Sequence, residues 1–176
     1  RHLLPVKEAR GYWEISLKRL KDEIAKKGGD IADLAPNKLK EAYSASSSEL
    51  YDRLSRLFQV IDRGDPALNV PVYNGGLFIT LDKDQPASAD ETEAEELRMA
   101  RFLAAHKIPD RFLAQGLDLL ARDIDDKTQS LAMIDYKSLG VRQLGSIYEG
   151  LLEFKLRVAQ QKMAVLAGKK GDRIIP

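Results

Sequence analysis

The chain has 176 residues, 44% of them hydrophobic, and its 28 Lys plus Arg nearly cancel 27 Asp plus Glu, leaving +1 with the histidines neutral. That length and apolar content support one ordinary domain with a sizeable core and exclude a disordered tail, while the charge balance argues against a uniformly basic nucleic-acid module. The absence of Cys removes disulfides, thiolate metal sites and a Cys nucleophile; His2 and His106 alone leave no multi-His centre; no signal peptide or run of about 18 apolar residues is present, so a cytoplasmic setting is the default.

Taken in chain order, the pattern is mostly helical. Trp13, Leu17, Leu20 and Ile24 recur at one face of a 3.6-residue period and predict a helix, with Lys18, Arg19, Lys21, Lys26 and Lys27 mainly off that face. Gly28-Gly29 ends it, because glycine takes a left-handed cap without a Cβ clash. Pro36 suits the first turn of a short helix reaching about Tyr43. Ser46 and Glu49 have the spacing of a capping box, after which Leu50, Leu54, Leu57, Phe58 and Ile61 form an apolar stripe stopped by Gly64-Asp65-Pro66.

The segment 70–79 reads differently. Val70, Val72, Tyr73, Leu77, Phe78 and Ile79 flank Asn74-Gly75-Gly76, which predicts a small β-hairpin or extended turn. Residues 82–96 carry seven acids against Lys83, a local charge of −6, and begin as a surface loop. Thr92 and Glu95 offer another capping box for a helix ending near His106, whose expected place is a helix C-terminus. Ile108-Pro109-Asp110 punctuates; Leu113, Leu117 and Leu120 carry the next helix; 123–127 reads as a polar connection. Leu144, Ile147, Tyr148, Leu151 and Leu152, continued by Leu156 and Ala159, give the strongest helical face. Gly145 and Gly150 inside it each cost about 1 kcal/mol against Ala, tolerable where another backbone packs closely, so this helix is expected at the centre of the core. There is no internal repeat at solenoid periods. The expected fold is therefore mainly α, a helical bundle with one small β-hairpin near 70–79, forming a single domain across 1–176.

The chemistry these residues can carry is limited. Gly75-Gly76 is not followed by a helix with Lys-Ser/Thr, so it is a turn and not a phosphate-binding loop. Neither a glycine-rich cofactor turn after a strand nor an Asn/Asp-Pro-Pro-Tyr/Phe loop, the marks of an adenine methylase centre, occurs here. Asp110 after Pro109, then Asp135-Tyr136-Lys137, spells the residue types of a metal-dependent nuclease, in which two carboxylates hold Mg²⁺ and the lysine stabilises phosphate charge; surface and capping roles compete with that reading, since Asp110 opens a helix where such a motif sits on a strand. Tyr148 and Glu149 fall mid-helix and fit a core tyrosine beside a paired or solvated acid. The stretch 137–176 holds eight Lys/Arg against three acids, a local +5. Its Arg142, Lys155, Lys162, Lys169, Lys170 and Arg173 are candidate DNA-phosphate contacts, set against a solvated helix face. The acidic 82–96 segment is the candidate for a helical protein-interaction module.

Two segments carry a resemblance. Val70-Pro71-Val72-Tyr73-Asn74-Gly75-Gly76-Leu77-Phe78 resembles a segment of large bacterial adenine-specific DNA methyltransferases, including fused type IIG restriction endonuclease–methyltransferases and related phage-defence methylases. Ile134-Asp135-Tyr136-Lys137-Ser138-Leu139, followed by Leu144-Gly145-Ser146-Ile147-Tyr148-Glu149-Gly150-Leu151-Leu152-Glu153, resembles a second segment in the family's order. Tyr73, Asn74, Gly75, Gly76, Leu77, Phe78, Leu144, Gly145, Tyr148 and Glu149 are the motif positions, and the likeness covers roughly 1–160. Arg1 in place of Met and the abrupt Ile174-Ile175-Pro176 fit a piece of a longer protein. The resemblance implies a noncatalytic helical connector of a restriction-modification enzyme. No catalytic or metal-binding residue of its own is implied, and double-stranded DNA is met through the parent. The neighbours would be a methyltransferase domain and, in some members, a nuclease domain. S-adenosylmethionine, with Mg²⁺ in a cleaving parent, would be bound elsewhere. No membrane is involved.

Overall fold

A computed structural model describes residues 11–73, 78–81, 95–153, 161, 163–166 and 173–175, with 164–166 and 173–175 described by backbone alone. The architecture is mainly α-helical with small antiparallel hairpins, as the sequence predicts in kind. The chain divides into two compact units, Arg1–Ile134 and Asp135–Pro176.

The first unit contains α1 (Tyr12–Ile15), α2 (Leu17–Gly28), α3 (Ala35–Ala42), α4 (Glu49–Arg63), α5 (Glu95–Ala105), α6 (Asp110–Ala121) and a hairpin of β1 (Arg122–Ile124) and β2 (Leu131–Met133). The single helix expected from Trp13 onward is two helices, broken at Ser16. Its hydroxyl donates to the Trp13 carbonyl at 2.9 Å and accepts from the Arg19 amide at 3.2 Å. Such an N-cap contributes about 1 kcal/mol and starts α2 one turn later than periodicity alone suggests. Pro36 sits in the first turn of α3, and Tyr43 is its C-cap.

α4 is the spine. Its Leu50 enters one buried cluster with Leu20, Ile24, Leu39, Tyr43 and Ala114, against which Leu113 and Leu117 pack. Its Leu57 and Val60 join a second cluster with Tyr12 and Val70, flanked by Ile15, Leu54, Ile61, Leu68 and Tyr73. Each aliphatic side chain so buried contributes about 1.5–3 kcal/mol. The α4 helix ends at Gly64, whose φ of 72° and whose approach to the Val70 carbonyl, 2.9 Å from where a Cβ would stand, require glycine.

The hairpin expected near 70–79 is not formed by the described residues of that segment; Asn74, Gly75, Gly76 and Leu77 lie outside them. The backbone of Val70 and Tyr73 is committed elsewhere. Val70 exchanges hydrogen bonds with Asp65 at 2.8 and 3.0 Å, and the Tyr73 amide donates to the Ile61 carbonyl at 3.0 Å. Phe78 then packs on Phe58 of α4, ring centroids 5.0 Å apart, and Thr80 donates through its amide and hydroxyl to the Asp62 carboxylate at 2.8 and 2.7 Å. The flanks of this segment are therefore bound along α4 instead of to each other.

The first unit's hairpin occupies the stretch read as a polar connection. β1 pairs antiparallel with β2 in the register Arg122↔Met133, Asp123↔Ala132, Ile124↔Leu131. Its turn is organised by Asp125, whose Oδ1 accepts from the Lys127 and Thr128 amides at 2.9 Å each, with Gln129 at φ 54°.

The second unit holds a 3₁₀ turn (Tyr136–Ser138), α7 (Val141–Glu153) and an antiparallel pair of β3 (Ala164–Leu166) and β4 (Arg173–Ile175). The expectation that α7 is central to a core does not hold. Its apolar face is exposed, with Tyr148 at 64%, Leu151 at 67% and Leu152 at 64%, and a Cβ added at Gly145 or Gly150 would meet nothing within 4 Å. The periodicity identified the face correctly, but among the described residues of the second unit no element covers it.

Candidate functional site

The residues singled out in the sequence fall at separate places. Of the phosphate-contact candidates, Arg142 lies exposed on α7, with its carbonyl accepting from the Ser146 hydroxyl at 3.2 Å. Arg173 is in β4, where the backbone alone is described, and Lys155, Lys162, Lys169 and Lys170 lie outside the described residues. Leu144, Gly145, Tyr148 and Glu149 are all exposed on α7, while Tyr73 is half-buried beside the α4 cluster. Of the acidic segment, 82–94 is outside the described residues, which also removes the Thr92 cap from view; Glu95 and Glu96 open α5 and are exposed.

Asp110 has a defined structural task. It is buried at the start of α6, where Oδ1 accepts from the Leu50 amide at 2.8 Å and Oδ2 from the Ser47 hydroxyl at 2.7 Å. In return, the Asp110 amide donates to the Ser47 carbonyl at 2.8 Å and the Arg111 amide to the Ser44 carbonyl at 2.9 Å. Each helix thus satisfies orphan donors of the other, and the local Ser46–Glu49 capping box is replaced by a carboxylate sixty residues away. Asp135 belongs to the second unit, where it accepts from the Lys137 amide at 3.1 Å and caps the 3₁₀ turn.

Three further polar features escaped the sequence reading. Asp118 and Arg122 form a buried pair, with guanidinium nitrogens 2.7 and 2.8 Å from the two carboxylate oxygens, while a third nitrogen donates to the Gly29 carbonyl at 2.6 Å. Gly28 makes room for it: a Cβ there would stand 2.8 Å from the guanidinium. Glu23 of α2 receives Arg19 at 2.8 Å and Arg53 of α4 at 2.7 Å, and the Arg53 hydrogen bond holds its carboxyl below the usual glutamate value. Tyr43 is buried under the Lys27 ammonium, 3.9 Å from the ring centroid. Burial, then the nearby Glu23 charge, pushes its phenol up to about 12. The i, i+4 spacings of Asp118 with Arg122 and of Arg19 with Glu23 were visible in the sequence, but not the burial of the first pair or the Arg53 contact of the second.

At the C-terminal end of α5 the rings of Phe102 and of His106, the residue after the helix, stack with centroids 4.1 Å apart and 20° from parallel, and His106 Nδ1 lies 2.9 Å from the Phe102 carbonyl. This matches the helix-end role expected of His106. Among the described residues, no group of three or more His, Asp or Glu side chains is placed to hold a metal ion, and no helix is long and apolar enough to cross a membrane. Neither β1 nor β2 is followed by a glycine-rich turn leading into a helix. Comparison of the chain with models of known protein families, with curated proteins and with solved structures finds no match.

Proposed function

We propose that this chain is a noncatalytic helical connector, close to DNA, within a bacterial adenine-specific DNA methyltransferase or a fused restriction endonuclease–methyltransferase acting in phage defence. The observation that carries the reading is the pair of motif segments, 70–78 and 134–153, in the family's order. Their placement supports it. The flanks of the first are bound to the spine helix, whereas Leu144, Tyr148, Leu151 and Leu152 of the second form an apolar face that needs a covering surface. In this reading the methyltransferase domain covers that face. S-adenosylmethionine is bound there, and the connector fixes the spacing of its neighbours as a packed bundle does better than a flexible linker. The setting is cytoplasmic.

The test is to express the complete gene product that contains this chain and measure N6-methyladenine in host DNA by mass spectrometry. Methylation is expected, with loss of at least tenfold when Tyr148 and Leu151 are both changed to Ser in protein that remains soluble. Absence of methyladenine with the unaltered gene product would refute the reading.

A further inference from the structure

We propose that α5 presents a stacking site for single-stranded DNA, built from Arg98, Phe102, His106 and Lys107. The assignment of DNA as the source of the strand rests on the connector reading above, whereas the stacking chemistry stands on α5 itself. Arg98 and Phe102 are i, i+4 on one face of α5, and His106, the first residue past its end, is held over Phe102 by its amide hydrogen bond to the Phe102 carbonyl at 2.9 Å, with Lys107 immediately beyond. All four are exposed, and Phe102 retains 55% of its surface. No acid occurs in 97–107.

The aromatic pair is pre-organised. His106 is held at the Phe102 carbonyl and stacked on the Phe102 ring, so little rotamer freedom is lost when a base lies against it. The helix is anchored beneath: the Tyr51 hydroxyl donates to the Leu103 carbonyl at 2.6 Å, and Lys107 lies 2.7 Å from Asp52 in an exposed pair that leaves its ammonium open to water. An apolar partner would leave the exposed Arg98 guanidinium unpaired. A duplex supplies phosphates, but its base faces are already stacked on one another. A single strand supplies both phosphates for the cations and free base faces for the rings. Glu95 and Glu96 close off the N-terminal end of the stripe. The usable span from Arg98 to His106 is about 12 Å at the helical rise per residue, enough for roughly two nucleotides.

The experiment titrates the 176-residue chain into fluorescein-labelled dT12, a 12-base-pair duplex and rU12, following fluorescence polarisation between about 50 and 200 mM salt. Binding to dT12 tighter than to either other probe is expected. Phe102→Ala and Phe102→Leu should each weaken it by about tenfold, and Arg98→Glu should weaken it and flatten the logarithmic salt slope by about 0.7. Lys40→Glu, the same charge change at an exposed position of α3, should alter it less than twofold. Phe102 is exposed, so circular dichroism melts of these variants should match the parent chain. Absence of dT12 binding, preference for the duplex or for rU12, or Phe102 variants within twofold of the parent would each overturn the site. Host-DNA methylation plays no part in this readout, so the site and the connector reading fail separately.

Discussion

Asp110 opens a helix and caps, as its place after Pro109 suggests, but the helix start it caps is that of α4. In sequence it sits after Pro109 and pairs with a later Asp-x-Lys, the letters of a metal site; in the fold both its oxygens are spent on the α4 N-terminus. Asp110→Ala should leave the Leu50 amide buried without an acceptor and destabilise the chain by about 2–3 kcal/mol, with Asp110→Asn milder because one acceptor remains. Urea denaturation of the two variants checks the order. Arg122 makes the sharper case. Arg122→Ala strands the buried Asp118 carboxylate and should cost about 3–5 kcal/mol, whereas the pair Asp118→Leu with Arg122→Met should recover most of it, since two apolar groups leave no unpaired charge. A double-mutant cycle measures both. A capping role for Asp110 was legible from its place at a helix start, but its partner was not, because a cap sixty residues away and a guanidinium fitted over Gly28 are tertiary facts without a local signature.

Helices were read from periodicity with good boundaries where caps were local: Gly29, Pro36 and Gly64 act where the sequence placed them. The misplaced elements share a cause. Apolar residues around Asn74-Gly75 suggested a hairpin or extended turn, yet Val70 pairs with Asp65 just past α4 and Tyr73 with Ile61 near its end, while the short β1 and β2 carry Arg-Asp-Ile and Leu-Ala-Met, with little alternation to announce them. On α6 the leucine stripe predicted the inward face only in part. Leu113 and Leu117 pack against the core, but the fully buried line is Asp110, Ala114 and Asp118, and Leu120 is 64% exposed. Ala114 allows close approach to α2 and α3, and the aspartates are tolerated because each is paired. A pattern of apolar residues reports which face seeks cover and not what covers it, which is why α7 was assigned to a core. Ile24→Ala should therefore cost about 2–5 kcal/mol, while Leu151→Ser should stay within about 0.5 kcal/mol. Thermal denaturation of the two variants separates a core face from an exposed one.

For the molecule as a whole, charge sets a window of stability. Glu23, held below its ordinary value of 4.5 mainly by Arg53, stabilises the fold above that value, and the contribution is lost as pH falls through its folded value. Tyr43 acts at the other limit. Its pKa is raised by burial from 10.0 to about 12, so the stabilisation from the neutral phenol is complete below pH 10 and is lost as pH rises from 10 to about 12. Melting temperatures should fall on both sides of a broad plateau, and Tyr43→Phe should flatten the alkaline limb alone. Tyrosinate absorbance followed alongside identifies the group.

The reciprocal clasp between the Ser47 turn and Asp110 has a consequence for how this chain can vary. Because four hydrogen bonds fix the two helix starts directly, their alignment does not depend on the length of chain joining them. Doubling a flexible joining segment adds only about 0.6 kcal/mol of closure entropy. Insertions in the acidic stretch of sequence before α5 would then leave α6 seated on α4. The clasp makes the local charge of this protein a property that can be lengthened, shortened or rewritten while the register of its core helices is preserved.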